Sequence, residues 1–468
     1  INLNKDVAVA AGKSLTLAGG TTASRPGTPT EGMMYYDTNT KQLLAYANGK
    51  WQADGKEAVI VAASNSSNAD KASADYVADG STAAPADGDQ VQINDALTAA
   101  AGKKVVLLAG TYTADASILI PNNTTLAGVG LGTLVRLADI DSTDYLIENI
   151  DTTNGNVNIV IQDLRLDGQK SLNTVGTQHG IYFAKVYGGA VRNVWVDNFR
   201  SMGLALNYSN DNIIIGNTVS NNGGSGISSA YGNYNVFTGN KSQLNTGAGF
   251  SFSYQTGDNL SGNSIESNTG DGIAINYTTL TATGNTITGN SAYGVNAGGS
   301  SNNTIVGNDI SNNGKGVHLS TSGNNNISGN TIRASGAGTT NDAIYLTSSD
   351  NNSIVGNTIW DNSATTNNYA INISDSTSNA NYFANNRYSS TPGNSTIYNL
   401  GTDTVYSSQP LAENGAGVTN QAANSTAAFK IQNATGGSLF TVDSTNSRLY
   451  VGTVAGDTTG TVLVLGNK

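Results

Sequence analysis

The dipeptide Gly-Asn recurs through the middle of the chain, with its asparagine at Asn217, Asn240, Asn263, Asn285, Asn308, Asn330 and Asn357. The intervals are 23, 23, 22, 23, 22 and 27 residues, and Asn385, preceded by Ala384, follows 28 later. A fixed period of this length marks a repeat architecture, in which each unit buries its apolar side chains against its neighbours. One unit, residues 314–335, reads GKGVHLSTSGNNNISGNTIRAS. Its apolar residues fall in three short runs: Val317 and Leu319, Ile327, and Ile332. These runs are too short for helices and lack a 3.6-residue period, so they read as strands. Stacked coil on coil, each strand pairs with its equivalent about 4.8 Å away, which gives three parallel sheets wound into a β-helix. Residues 120–400 leave room for roughly twelve coils and a rod of about 55–60 Å.

The register predicts that Ile213, Ile227, Ile273, Ile305, Val317, Ile327, Ile354 and Ile371 point inward. The asparagines of the dipeptide sit where a sharp corner needs positive φ, which Asn tolerates, and their amides are placed to form a ladder up the axis. Tyr208, Tyr231, Tyr254 and Tyr277 follow one another at intervals of 23. Parity places them inward or at a corner, as an aromatic stack at the edge of the core; the alternative is a sugar-stacking ladder on the surface.

Composition narrows the function. Only 12% of the 468 residues are charged, and the net charge is −11. Nucleic acid is excluded as a partner, because its phosphates need basic patches. No apolar run reaches the ~18 residues of a membrane span. With no cysteine there are no disulfides or thiolate metal sites. The chain opens on Ile1 rather than Met, as a processed chain or a piece of a longer one does.

The ends of a β-helix are raw strand edges that must be covered. Residues 89–101 read as an N-terminal capping helix, with Asp89 as N-cap and Val91, Ala96, Leu97 and Ala100 on its apolar face. The passage ADYVADG at 74–80, this helix, Ala-Gly-Thr-Tyr at 109–112 and IPNNTTLAG at 120–128 resemble the opening of pectate-lyase-like right-handed parallel β-helix proteins. The resemblance covers roughly residues 74–400. It implies an all-β, right-handed parallel β-helix with three short strands per coil of about 22–23 residues. Lyases, hydrolases, epimerases, tailspikes and inert surface proteins share this fold. Residues 25–51, with strands at 33–36 and 42–47, resemble a module of phage tail fibres and of large surface proteins of episymbiotic bacteria. Residues 427–468, with four short strand signals, resemble a companion segment. The expected organisation is an N-terminal β-hairpin module at 1–56, a linker at 57–73, the β-helix at 74–406, a linker at 407–426 and a C-terminal β module at 427–468.

In proteins of this kind chemistry often sits on the outward side of the strand after the Gly-Ile signature. The first outward row there runs Tyr182, Ala205, Ser228, Ser251, Ala274, Asn296, His318, Tyr345 and Asn372. Neither it nor the next outward row holds a carboxylate, whereas acid/base cleavage of a polysaccharide needs a positioned titratable pair. Tyr182, His318 and Tyr345 are candidate glycan contacts. The early coils are richer: aligning Tyr145-Leu146-Ile147-Glu148 with Ile181-Tyr182-Phe183-Ala184 sets Glu148 on this face, with Asp163, Asp167 and His179 near in sequence. These four are the candidates if the chain is an enzyme, a polysaccharide lyase or glycoside hydrolase. The paired-Asp and Gly-His-Gly signatures of polygalacturonases and the Asp-Pro-His of alginate epimerases are missing. Asp139, Asp141 and Asp144 crowd one stretch and offer oxygen donors to Ca²⁺, without EF-hand spacing; no other cofactor is implied.

The expected function is a non-catalytic structural and adhesive subunit of an extracellular fibre, on a cell or virion surface, contacting glycans. A tailspike-like depolymerase and a purely architectural spacer are the alternatives. Self-association, as a head-to-tail filament or a homotrimer, is expected through residues 1–20 and 427–468, whose isolated alternating strands lack partners of their own.

Overall fold

The computed structural model describes residues 19–39, 42–47, 50–53, 58–81, 88–100, 102–139, 145–334, 342–361, 369–389, 397–407, 429–432, 438–443 and 448–451. The chain divides into two units, Ile1–Pro410 and Leu411–Lys468.

The first unit is dominated by three parallel sheets of 15, 12 and 12 strands, each strand pairing with its equivalent one coil earlier and later. One coil contributes Ile213–Ile215 to the first sheet, Thr218–Ser220 to the second and Ile227–Ala230 to the third. In the first sheet the middle residue of each triplet points inward, so Val191, Ile214, Phe237 and Leu260 stack along the axis. Seven of the eight residues expected inward are fully buried. Ile213 is the exception: it is 41% exposed, and its neighbour Ile214 takes the core position at 0%. In a run of three isoleucines, alternation alone cannot say which one faces in.

The asparagine column at the corner between the first and second sheets is a continuous hydrogen-bonded ladder. Asn240 Oδ1 accepts from both the backbone N–H and Nδ2 of Asn217, at 3.0 and 2.9 Å. Its own Nδ2 donates to Ile214 O at 2.8 Å and to Asn263 Oδ1 at 3.1 Å. The positive φ of this corner belongs to the glycine rather than to the asparagine: Gly216 through Gly356 have φ between 60° and 66°. The last step follows the same logic. Asn385, with φ of 52°, stands in the glycine position, and Asn386, not Asn385, is the rung that accepts from Asn357. Two further ladders occupy the other corners, through Asn222, Asn245, Asn268, Asn290 and Asn313, and through Asn303, Asn325, Asn352 and Asn381. A buried amide that uses every donor and acceptor is stabilising, and one left incomplete is costly. Asn240→Ala strands the Asn217 amide and the Ile214 carbonyl in the interior. The variant should lose about 3–5 kcal/mol in urea unfolding, and a loss below about 1 kcal/mol would contradict the ladder's role.

The N-terminal end of the rod is closed by helix α2 (Gln90–Ala100), which follows a short helix α1 (Asn68–Ser73). Its buried face is Ile93, Ala96, Leu97 and Ala100, while Val91 is exposed; the 3.6-residue period favours Ile93 over Val91 once Leu97 anchors the face. Polar side chains finish the open strand edges. Asn94 Nδ2 donates to Ser117 O at 3.1 Å and its Oδ1 accepts from Leu119 N at 2.9 Å, as a neighbouring strand would. Asp89, expected to cap the helix, uses its carboxylate on the backbone N–H groups of Gly80 and Thr113. Of the stretch expected as a linker, the described residues 58–73 belong to the folded end of the rod. Ala58–Ala62 pairs with Lys104–Leu107 in the first sheet, with Val59 and Val61 buried.

The N-terminal module has the expected hairpin, Met34–Asp37 against Gln42–Ala47, plus a third antiparallel strand, Lys50–Ala53. Asp37 is buried within it, 2.5 Å from Arg25 Nη2. The second unit contains a three-stranded antiparallel sheet, Phe429–Gln432, Ser438–Asp443 and Arg448–Val451. Of the residues expected to make the assembly contacts, 1–18, 427–428, 433–437, 444–447 and 452–468 lie outside the described residues, as does the expected linker from 408 to 426. No helix of the described residues is long and apolar enough to cross a membrane.

Candidate functional site: the outer face of the third sheet

The outward rows read from the sequence lie in register on the third sheet, with Tyr182, Ala205, Ser228, Ser251 and Ala274 as successive partners. Glu148 lies on the same face, but its strand Ile147–Asn149 pairs two residues away from the expected alignment. Ile147 meets Ile181, and Glu148 meets Tyr182 rather than Ala184. The side-chain period of two keeps Glu148 outward despite this shift. It lines a shallow cleft of about 340 Å³ with Tyr145, Tyr182, Lys185, Asn207 and Tyr208.

The four residues considered for catalysis do not converge. His179 joins Glu148 on this face, stacked with Tyr145 and Tyr182 at centroid distances of 5.1 and 5.9 Å. Its Nδ1 accepts from Met202 N–H at 3.0 Å, which leaves the proton on Nε2. Burial pushes its pKa down to about 4, so the ring is neutral at physiological pH. Asp163 lies at the corner between the first and second sheets, with φ of 57°, where it accepts from Gln162 and Asn193. Asp167 ends the second-sheet strand Arg165–Asp167, 3.9 Å from Arg136 Nε and bonded by Asn198. Both aspartates are therefore on other sides of the coil from Glu148. Adjacent positions in sequence were separated because one coil passes through all three faces in about 23 residues.

The tyrosine column is the dominant feature. Tyr208, Tyr231, Tyr254 and Tyr277 stand at the corner that leaves the third sheet, stacked at 4.9, 5.2 and 5.0 Å with interplanar angles of 12°, 1° and 8°. They are not at the edge of the core: they are between 46% and 62% exposed. Each has positive φ, between 49° and 57°. That conformation costs a non-glycine residue roughly 1–2 kcal/mol, and glycine occupies the same corner one coil later, at Gly299. Ring stacking offsets the cost. Tyr231 and Tyr254 are covered by a ring on each face and present edges and hydroxyls to solvent, while Tyr208 and Tyr277, at the ends, each stack with one ring. A sugar cannot insert between the rungs.

A second aromatic group lies on the same face towards the C-terminal coils. His318 stacks between Tyr293 and Tyr345 at 4.7 and 5.1 Å, and the Lys315 ammonium lies 5.4 and 5.3 Å from those two ring centroids. Asp271 accepts from Tyr293 N and Asn296 Nδ2, both at 3.0 Å. Asn296 therefore turns its Oδ1 to His318 Nδ1, which carries the proton. Burial, with Lys315 nearby, lowers the His318 pKa to about 4. Asp342 repeats the device, accepting from Tyr369 N and Asn372 Nδ2, both at 2.9 Å. These carboxylates join successive coils. The sequence carries a signal for them: Asp-Gly-Ile or Asp-Ala-Ile, answered one coil later by Tyr-Gly-Val-Asn or Tyr-Ala-Ile-Asn.

Of the three aspartates considered for Ca²⁺, Asp139 is exposed, and Asp141 and Asp144 lie outside the described residues. Among the described residues no group of three or more His, Cys, Asp or Glu side chains is placed to hold a metal ion.

No curated protein sequence matches the chain. Among solved structures, the A-module of mannuronan C-5 epimerase AlgE4 from Azotobacter vinelandii aligns over 70% of this chain and 98% of its own, at 22% identity and a TM-score of 0.57. The A-module of mannuronan C-5 epimerase AlgE6 from the same organism aligns over 68% and 95%, at 19% identity and a TM-score of 0.55. ORF18 of Geobacillus virus E2 aligns over 97% and 99%, at 15% identity and a TM-score of 0.47. Likeness at these identities speaks for the fold alone. The family model described as right handed beta helix region matches residues 140–310 and 271–446. These stretches span more than half of the chain, which belongs to the right-handed β-helix family.

Proposed function

We propose that this chain is a non-catalytic structural and adhesive subunit of an extracellular fibre, and that it holds glycans along the outer face of its third sheet. The observation that carries this reading is the tyrosine ladder. Four large side chains sit in a backbone conformation that disfavours them, half exposed, on a corner that glycine also serves. Exposed aromatics held at a backbone cost point to a surface used for contact. The adjoining rows of Ser, Ala and Asn leave that contact flat and hydrogen-bonding.

The test is binding of the purified full chain to immobilised glycans, with the same glycans assayed afterwards for new reducing ends and unsaturated sugars. The expected result is retention without cleavage. The depolymerase reading keeps one specific support, the cleft that holds Glu148, Lys185 and Tyr182 together. If cleavage products appear and Glu148→Gln abolishes them while the fold is intact, the chain is a depolymerase and the non-catalytic reading is wrong.

A further inference from the structure

The glycan-binding reading leaves the class of glycan open, and the distribution of charge over the three faces bears on it. The second sheet is rich in charged side chains: Arg165 and Asp167, Asp197, Lys241 and Glu266, and Asp309 all lie on its outer face. The tyrosine-bearing side is different. From Tyr208 to Tyr277 the ladder is flanked by Ala205, Asn207, Ser228, Ser251 and Ala274, and none of these is charged. The cations of this face stand beyond the two ends of the ladder, Lys185 one coil before Tyr208 and Lys315 after Tyr277. Lys185 is also engaged, donating to Thr153 O at 2.5 Å. His318 adds no charge, being neutral above about pH 4.

A polyanionic chain laid along such a surface would lose hydration from its carboxylates with no cation to replace it. It would also approach a protein of net charge −11, whose field opposes it. A neutral chain meets neither obstacle. Its hydroxyl groups find a row of phenol edges about one coil, or ~4.8 Å, apart, with Ser and Asn side chains beside them. Along the column, at Tyr231 and Tyr254, the covered ring faces remove the stacking mode that an isolated tyrosine offers a sugar, so recognition there runs through edges and hydroxyls.

Resting on the glycan-binding reading, we propose that the ligand of this face is a neutral, hydroxyl-rich glycan extended along the tyrosine ladder parallel to the rod axis. The probes are two sets of linear oligosaccharides of matched length, one neutral (cello- and manno-oligosaccharides) and one of uronic acids, titrated calorimetrically into the full chain at low and high salt. The variants are Tyr231→Ala with Tyr254→Ala, and Tyr231→Phe with Tyr254→Phe. Both pairs change exposed side chains, and melting curves confirm that each variant is folded. Expected are binding of a neutral oligosaccharide with little salt dependence, a loss of about tenfold or more in the alanine pair, and a smaller loss in the phenylalanine pair, which keeps the stack and removes the hydroxyls. Binding of uronic-acid oligomers that weakens with salt would overturn the neutral assignment and leave the glycan reading standing. Neutral binding that the tyrosine variants do not alter would overturn the placement on the ladder. Binding of neither set would remove the glycan reading itself.

Discussion

Asp258→Asn should stabilise the rod by about 4 kcal/mol above pH 7 and leave it nearly unchanged near pH 4. Asp258 occupies a rung of the corner ladder between the third and first sheets. Its Oδ1 accepts from Asn235 N at 2.8 Å and Asn235 Nδ2 at 3.5 Å, as an asparagine's would. Its Oδ2 stands where an asparagine carries its donor. In the rung above, Asn235 Nδ2 donates to Ser209 O, 26 residues back; the equivalent carbonyl for Asp258 is that of Gly232. Oδ2 is buried without a partner, and the next coil offers Leu280 in place of another amide. A neutral acid can donate from Oδ2, whereas an ionised one leaves a charge buried without a partner. Burial accordingly raises the Asp258 pKa from 3.8 to about 7.

The sign follows from proton uptake. Between about pH 4 and 7 the folded state holds a proton on Asp258 that the unfolded chain has released, so this contribution is full below pH 4 and is lost as pH rises to 7. His179 and His318 act in the opposite sense. Their pKa values, lowered from 6.5 to about 4, remove stability as pH falls through the same window. The raw pH profile of the wild type therefore mixes opposing slopes, and the difference between wild type and Asp258→Asn is the quantity to measure. Urea unfolding of both proteins from pH 4 to 8 should give a difference that grows with pH and levels off above 7. A pH-independent difference would mean that Asp258 is ionised throughout or is paired.

The coil was legible because two signals agree: a Gly-Asn step every 22 or 23 residues and apolar residues alternating between the steps. The dipeptide marks one asparagine column and leaves two unmarked, although Asn212, Asn217 and Asn222 stand five residues apart and recur one coil later as Asn235, Asn240 and Asn245. The columns differ in what precedes them. Glycine marks the corner before Asn217 in coil after coil, whereas the positive-φ position before the others changes from coil to coil, through Asp211, Tyr234 and Asn302 in one column and Asn221, Leu244, Ser267 and Gly289 in the other. The dipeptide that revealed the repeat also drew attention to the wrong residue of the turn, since glycine supplies the conformation and asparagine the hydrogen bonds.

The site was less legible, for a geometric reason. Sequence neighbours such as Glu148, Asp163 and Asp167 are divided among faces, whereas residues 22 to 27 apart, such as His318 and Tyr345, touch. Reading down one phase of the repeat found the smooth face and the tyrosine column. Parity could not say whether the column faces core or solvent, because a corner residue belongs to neither alternation. Positive φ at Tyr208, Tyr231, Tyr254 and Tyr277 decides it by turning the side chains outward.

The same ambiguity at Ile213 yields the sharpest test of register. Ile213 and Ile214 are chemically identical neighbours in the strand Ile213–Ile215, yet their environments are opposite. Ile214 is fully buried between Val191 and Phe237, whereas Ile213 is 41% exposed between Ala190 and Val236. Aspartate at 214 places a carboxylate in an apolar stack with no donor to meet it, and the group must either protonate or open the coil. Ile214→Asp should cost more than about 4 kcal/mol. Aspartate at 213 remains hydrated, and its cost is confined to lost strand propensity and lost contact with Val236, about 1 kcal/mol. Chemical unfolding of both variants beside the wild type measures the two costs. A shift of one residue in the pairing register would exchange them, since every side chain of the strand would change face. Equal losses at the two positions would mean that the first sheet is buried on both sides in the native assembly, with its outer isoleucines covered by another surface.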